Sequence, residues 1–430
     1  MIRGLRQPRP PALDGDVVLG SPPATRDRTR FLGQWNSAVT SYYVLTGATA
    51  VLVVLGLVMV LSSSTVSSLS VGQSPYALFA NQAQFALIGV PVLVVAARVP
   101  VHVFTRFAWV LLGASALFQL AVFAPGVGIS IQGHRNWIRL GGYSAQPSEV
   151  VKLALAIWLA TVLARKRPLL HDWKHALIPV LPVSAIMIGL VLIGHDLGTA
   201  LVMVILVAGA LFVAGVPLRI FAVAGGLAGL AVGALTITSA NRAGRVFSWL
   251  SATCDGQGAC YQSKHGIWGL ASGGWGGLGL GESRQKWGYL PERQNDFIFA
   301  IIGEELGLVG TVLVLVLFAL IALAMARIIR RHPDPFVKIA TGAIMCWIIG
   351  QALMNIAVVI GLAPVIGVPL PLVSAGGSAL IITLAAMGVV IAFARSEPGA
   401  AEALAARPGV VRRSRAVIGR VRGASPARRA

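Results

Sequence analysis

A carboxylate stands where a polar loop meets an apolar run: Asp296, in Leu290-Pro-Glu-Arg-Gln-Asn-Asp-Phe-Ile-Phe-Ala300. Two more acids, Glu304 and Glu305, follow inside that run. On a helix Glu304 would lie ~12 Å deeper than Asp296. Acids at the edge of a bilayer are costly and usually face a bundle interior or a wet cavity. Two readings of Asp296 stand side by side. It can cap the helix, where the dipole favours negative charge. It can also act as a general base at the outer membrane face. Glu304 and Glu305 are neighbours and cannot face one direction, so at least one of them needs a structural partner.

Gln146-Pro-Ser-Glu-Val-Val-Lys152 offers a second pair. Pro147 suits the first turn of a helix. Glu149 and Lys152 are three apart and share a face. They either neutralise each other or present a cation to an anionic substrate. Just before them, His134-Arg-Asn-Trp-Ile-Arg-Leu-Gly-Gly142 places Trp137 and Ile138 at headgroup level. Arg135 and Arg139 there can grip phosphate or simply meet lipid headgroups. In Ala271-Ser-Gly-Gly-Trp-Gly-Gly-Leu-Gly-Leu-Gly281 the glycines allow tight turns and close approach. No strand precedes them, so this is no dinucleotide fingerprint. Close packing is the favoured reading, with Arg284 and Lys286 pulling towards an anion site. Finally, three prolines and Gly376-Gly377 interrupt Pro364–Ser378 at the outer edge of an apolar span. Non-helical backbone at that depth must be buried or line a cavity. Ser374 and Ser378 suit either a polar ligand or the freed backbone groups.

The elements that must position these residues are apolar helices. The chain has 430 residues, 56% hydrophobic and 12% charged. Soluble domains average about 25% charged residues. Ten apolar stretches recur, at about 43–63, 77–99, 105–123, 147–165, 175–194, 197–215, 218–240, 297–326, 337–360 and 377–394. The expectation is an all-α polytopic membrane protein with ten spans. Alternating strands of a β-barrel are not seen in the sequence. The run 175–215 is split at His195-Asp196, since one helix of that length would be about twice a membrane thickness. With the N-terminus inside, 26 of the 35 Lys and Arg residues fall in inner tails and loops. Both termini are therefore expected in the cytoplasm. The formal charge of +20 reads as topology and attraction to anionic lipid, not as nucleic-acid binding. The expected organisation is a basic disordered tail over 1–40, a membrane domain over 41–395 with outer loops 124–146 and 241–296, and a second basic disordered tail over 396–430. No cleavable signal peptide is read at the start. Cys346 is a packing residue. Cys254 and Cys260 share an outer loop, as a disulfide or as two thiols. Three scattered cysteines lack zinc-ligand spacing.

Four blocks together resemble the shape, elongation, division and sporulation family of FtsW and RodA proteins. They are Asn136-Trp-Ile with Gln146-Pro-Ser-Glu149; Asp196-Leu-Gly-Thr199; Tyr289–Ala300 with Gly303-Glu-Glu-Leu-Gly307; and Pro369–Ser378. The match covers roughly 43–395, and its wording is most like the actinobacterial FtsW branch. Departures include Asn136 in place of an arginine, with Arg135 displaced by one. His195 stands where a proline is usual. The resemblance implies a peptidoglycan glycosyltransferase of the bacterial plasma membrane, at the division septum. It would join lipid II to a nascent glycan by a β-1,4 link and release undecaprenyl diphosphate. Asp296 matches the family's catalytic aspartate and Lys152 its basic residue in the fourth span. With Lys152, the implied substrate-binding set is Glu149, Arg135, Arg139, Lys286, Glu292, Ser374, Gly376, Gly377 and Ser378. No cofactor is required by the sequence; a divalent cation, Mg or Mn, is the one candidate. The implied partners are a class B penicillin-binding protein, other division proteins and, through the tails, FtsZ. Three alternatives stay open: a lipid II flippase, a RodA-like lateral-wall polymerase and a non-catalytic scaffold. No P-loop is present to energise a flippase.

Overall fold

The computed structural model describes residues 39–405 except 71, 132–133, 142, 171 and, within 239–260, all but Gly244 and Trp249. Cys254, Cys260 and, of the expected tails over 1–40 and 396–430, residues 1–38 and 406–430 lie outside the described residues. The second tail nevertheless opens with order. Glu397 and Ala400 are buried and Ala400–Ala405 is helical, so 396–405 is not the disordered start that was expected.

The helices are α1 (Thr40–Ser70), α2 (Ala77–Ala96), α3 (Val101–Leu120), α4 (Pro147–Arg165), α5 (Trp173–Leu177), α6 (Val180–Ile193), α7 (Leu197–Ala214), α8 (Leu218–Ile237), α9 (Tyr261–Ser272), α10 (Ile298–Arg331), α11 (Pro335–Val359), α12 (Gly377–Arg395) and α13 (Ala400–Ala405). Among the described residues, eight are long and apolar enough to cross a membrane, and α6 and an apolar helix starting at Leu218 accompany them. Eight of the expected spans coincide with these eight long helices; 175–194 overlaps α5 and α6, and 218–240 overlaps α8. The division at His195 is real: α6 ends at Ile193, His195 takes φ 65, and Asp196 caps α7 through Thr199 N at 2.9 Å. Proline is locked near φ −65°, so the backbone here is one that the family's usual residue could not adopt.

Packing follows small residues. A Cβ on Gly209 would lie 2.5 Å from Cβ of Cys346, so α7 and α11 meet there backbone to side chain. Cys346 is a free thiol in that packing. Trp158 and Trp347 are among the largest fully buried side chains, on α4 and α11. These two helices, with α12, form the interior of the bundle.

Segment 124–146 is a small antiparallel sheet of β1 (Gly128–Ile131), β2 (His134–Leu140) and β3 (Tyr143–Ala145), in that order. The sequence led to the expectation of an outer loop here, without strands. Alternation explains the strand. Asn136 and Ile138 point inward and are buried, while Arg135 and Arg139 are exposed on the other face.

The helix α10 carries the main irregularity. It has 34 residues, and Gly307 within it takes φ 65 and ψ −159. In an unbroken helix Leu308 N would bond Glu304 O, and Val309 N would bond Glu305 O. Both bonds are replaced. Glu304 O accepts from Leu278 N at 2.9 Å, and Glu305 O from Gly279 N at 3.0 Å. Leu308 N donates to Gly274 O at 2.9 Å, and Val309 N to Trp275 O at 3.3 Å. The glycine-rich segment has thus been inserted into the helix's own hydrogen-bond ladder. Glycine is required for the contact: a Cβ on Gly307 would stand 2.6 Å from Trp275 O, and one on Gly277 2.7 Å from Gly307 N. Gly277 also has φ +80. The helix α9 feeds this insertion. Its Gly266 lies against Phe297 and its Gly269 near Ala300 O, so it runs beside the first turns of α10. The outer loop expected over 241–296 therefore contains a packed helix and an inserted turn.

Two polar contacts tie α1 to α10. At one end Ser62 Oγ donates to the Glu305 carboxylate at 2.6 Å. At the other, Glu397 is buried beside Ser41, Arg327 and Arg331. Burial pushes the Glu397 carboxyl up, and those neighbours pull it part of the way back. About 21 residues separate the contacts along each helix, or ~32 Å. Hydrocarbon in a bilayer is ~30 Å thick. The apolar slab is thus bracketed by Ser62–Glu305 and the Glu397 cluster, and Glu304 and Glu305 sit at its edge.

Replacing Gly277 by valine should strain this seat by about 1–3 kcal/mol. The thermal unfolding midpoint in detergent should fall. Gly276→Ala, where an added Cβ meets nothing within 4 Å, should leave it unchanged. Equal midpoints for the two variants would show that the glycine segment does not hold the break.

Candidate active site at the outer end of the helices

The helix α10 begins at Ile298 with Phe297, the residue after Asp296, as its N-cap. The backbone of Asp296 is held by α11: its carbonyl accepts from Asn355 Nδ2 at 2.7 Å. The same amide donates to Val368 O at 2.7 Å. A Cβ on Gly367 would lie 3.6 Å from Asp296 Oδ2, so the carboxylate faces the non-helical stretch before α12. The turn around it is stitched to that stretch. Ser374 Oγ donates to Asn295 O at 2.6 Å, and Ala375 N to Gln294 O at 2.9 Å. Glu292, with φ 53, accepts from Asn295 Nδ2 at 2.6 Å and shapes the turn from the other side. Burial pulls the pKa of Arg293 down, and the adjacent Glu292 raises it again.

Lys152 lies one helical turn further along the same polar line. It is 1% exposed, and its ammonium is 2.9 Å from Glu149 Oε1. It also donates to Gln351 Oε1 at 3.1 Å and sits 4.8 Å above the Trp347 ring. Gln351 in turn donates to Pro369 O at 2.9 Å. Gln351 and Asn355 are four apart on α11, so one face of that helix joins Lys152 to Asp296. These two amides were missed in the sequence reading. Their signal was there: two carboxamides one turn apart in an otherwise apolar span are costly unless they are bonded.

The remaining blocks arrive at the same place. Gln146 Nε2 donates to Asp196 Oδ2 at 3.0 Å, and Gln146 N to Ser378 Oγ at 3.1 Å. A Cβ on Gly198 would lie 2.7 Å from Ile366 O. The starts of α4, α7 and α12 and the turn before α10 therefore surround one region. Ser374 and Ser378 both serve backbone groups here, which is the second of their two readings. Gly376 is the N-cap of α12 and Gly377 lets Phe85 pack against it.

Other expected residues lie elsewhere. Lys286 is buried and bonds Gly281 O, with Glu305 Oε1 4.0 Å away, so its charge is used inside the loop. Glu304 is fully buried and accepts from Ser283 Oγ, Arg284 N at 2.9 Å and Gln285 N at 3.3 Å. Both acids of the pair thus have structural partners. Arg135 donates to Phe123 O at 3.3 Å, and Arg139 is on the exposed face of β2. Asn136 is buried against Gly194 in the α6–α7 turn.

A family model for cell cycle proteins of the FtsW, RodA and SpoVE type matches residues 43–398. The chain belongs to this family. It is 40% identical over 395 residues to the probable peptidoglycan glycosyltransferase FtsW of Mycobacterium tuberculosis, covering 91% of this chain and 75% of that protein. It is 36% identical over 349 residues to the stage V sporulation protein E of Bacillus subtilis, covering 81% and 95%. Among solved structures, RodA of Thermus thermophilus superposes with TM-score 0.61 at 28% identity, covering 83% of this chain and 97% of that one. A chain of a peptidoglycan synthase complex that coordinates polymerization and crosslinking superposes with TM-score 0.66 at 28% identity, covering 82% and 96%. This FtsW/RodA-type chain is thus a polytopic, all-α membrane protein.

The Glu149–Lys152 pair yields a prediction. Removing one partner of a buried ion pair costs about 3–5 kcal/mol. Lys152→Met or Glu149→Gln alone should lower the unfolding midpoint in detergent. The double variant should regain most of it. If each single variant is as stable as the parent, the pair does not carry charge in the fold.

Proposed function

We propose that the chain is a peptidoglycan glycosyltransferase that polymerises lipid II at the outer face of the plasma membrane, for septal wall synthesis. The observation that carries this reading is the polar face of α11. Gln351 and Asn355 hold Lys152 and the Asp296 turn one helical turn apart, beside a non-helical backbone stretch. The relatives named above support the activity.

The chemistry follows from the two charges. An acceptor sugar hydroxyl attacks the anomeric carbon of the donor. The hydroxyl proton passes to the Asp296 carboxylate. The glycosidic bond forms as the bond to the prenyl diphosphate breaks, and the diphosphate leaves with the electron pair. A fixed cation next to a dry helix interior stabilises that developing charge, which is the role of Lys152. A single base and a single displacement invert the anomeric centre, since retention normally needs a second carboxylate as nucleophile. Among the described residues no three His, Cys, Asp or Glu side chains cluster to hold a metal. An Mg or Mn ion, if the reaction uses one, would supply further positive charge for the departing diphosphate. Arg135 and Arg139 are exposed on β2, and their charge would attract anionic groups that approach from outside. A class B penicillin-binding protein would cross-link the product, and FtsZ remains a candidate partner for the tails.

The test is polymerisation of lipid II by the protein reconstituted with its transpeptidase partner. Asp296→Asn, which keeps the shape, should lose at least about 100-fold in rate. Its unfolding midpoint should not move. Equal glycan from both proteins would reject Asp296 as the base. Accelerated lipid II scrambling in liposomes without polymer would identify a flippase instead. Adding and chelating Mg or Mn in the same assay reads the contribution of a divalent ion.

A further inference from the structure

The segment that breaks α10 also points out of the protein. Residues 271–281 contain no charged side chain. Trp275 is 80% exposed, and Leu278 and Leu280 are exposed beside it. Yet this segment is not a free loop. Its N–H groups at 277, 278 and 279 and its carbonyls at 273, 274 and 275 are all bonded within the protein. Each backbone group bonded inside the protein lowers the cost of seating the segment beside hydrocarbon.

Its height relative to the membrane is fixed by its partners. Trp275 O accepts from Val309 N, and Gly274 O from Leu308 N. Leu308 and Val309 lie one turn below Glu305, just inside the bracket that Ser62–Glu305 sets on the apolar slab. Both are exposed on α10, as are Val312 and Leu313 below them. Trp275 is tied to this stretch through its carbonyl. Indole rings are favoured at the junction of hydrocarbon and headgroup. Trp268, on the outward side of α9, and Trp287 are exposed as well and extend the aromatic surface above it.

We propose that residues 273–280 are a re-entrant wedge seated in the outer leaflet, with Trp275 anchored among outer-leaflet phospholipids. The wedge joins α10 to the bilayer at the point where the helix is broken. It thereby fixes the height of the short helical stretch Ile298–Leu306 and of the Asp296 turn above it. The proposal concerns the seat of this segment and does not depend on the reaction assigned to Asp296.

The full-length protein in phospholipid vesicles provides the test, without any substrate. The emission lost on Trp275→Phe isolates the signal of Trp275. That difference emission should be blue-shifted, quenched by lipids brominated near the glycerol end of the acyl chain, and protected from iodide in the water. A second measurement places a benzoylphenylalanine at position 275 and irradiates whole membranes; the expected product is a phospholipid adduct. Red-shifted difference emission quenched by iodide and not by brominated lipid would overturn the proposal. So would an adduct with another protein and none with lipid, which would make this surface a protein-docking face.

Discussion

Everything at the outer end of this molecule depends on backbone hydrogen bonds that a single helix cannot make. Gly307 interrupts α10, and two N–H groups and two carbonyls lose their partners in an apolar setting. Each orphaned group there would cost several kcal/mol. The glycine segment 274–279 satisfies all four by inserting itself into the gap. The break is therefore a joint between two elements and not a defect of one.

That joint explains the neighbouring charges. Glu304 and Glu305 flank it and face different ways. Glu304 gathers the N–H groups that follow Ser283, and Glu305 fastens to Ser62 of α1. Both acids hold the chain between the wedge and Asp296 in a fixed path. Lys286, which has the composition of an anion-binding residue, is consumed in the same work.

A second layer of order comes from α11. Gln351 and Asn355 satisfy the carbonyls of Pro369, Val368 and Asp296, which the broken stretch before α12 and the turn before α10 leave unpaired. A buried carboxamide carries both donor and acceptor capacity, so one side chain can join two irregular segments. The same residues place Lys152 next to that junction. One face of α11 thus fixes Lys152 of α4 and the backbone of the Asp296 turn before any ligand arrives.

The amino-acid sequence by itself determined the class of fold and the places of the eight long apolar helices, because apolar runs long enough for hydrocarbon are a local property of the chain. It located the break at His195-Asp196 for the same reason, from length alone. It also brought Asp296, Lys152 and the proline-rich stretch into one hypothesis through recognisable blocks. The tertiary structure alone decided which polar groups are spent on packing. Lys286, Ser374 and Ser378 have side chains fit for a ligand, and only their three-dimensional neighbours show that backbone or carboxylate partners already hold them. The β-sheet over 128–145 and the insertion at Gly307 were hidden for a related reason. Their hydrogen bonds join residues that neighbour each other in space only after the chain has folded, and no periodicity within one segment records a partner that lies in another.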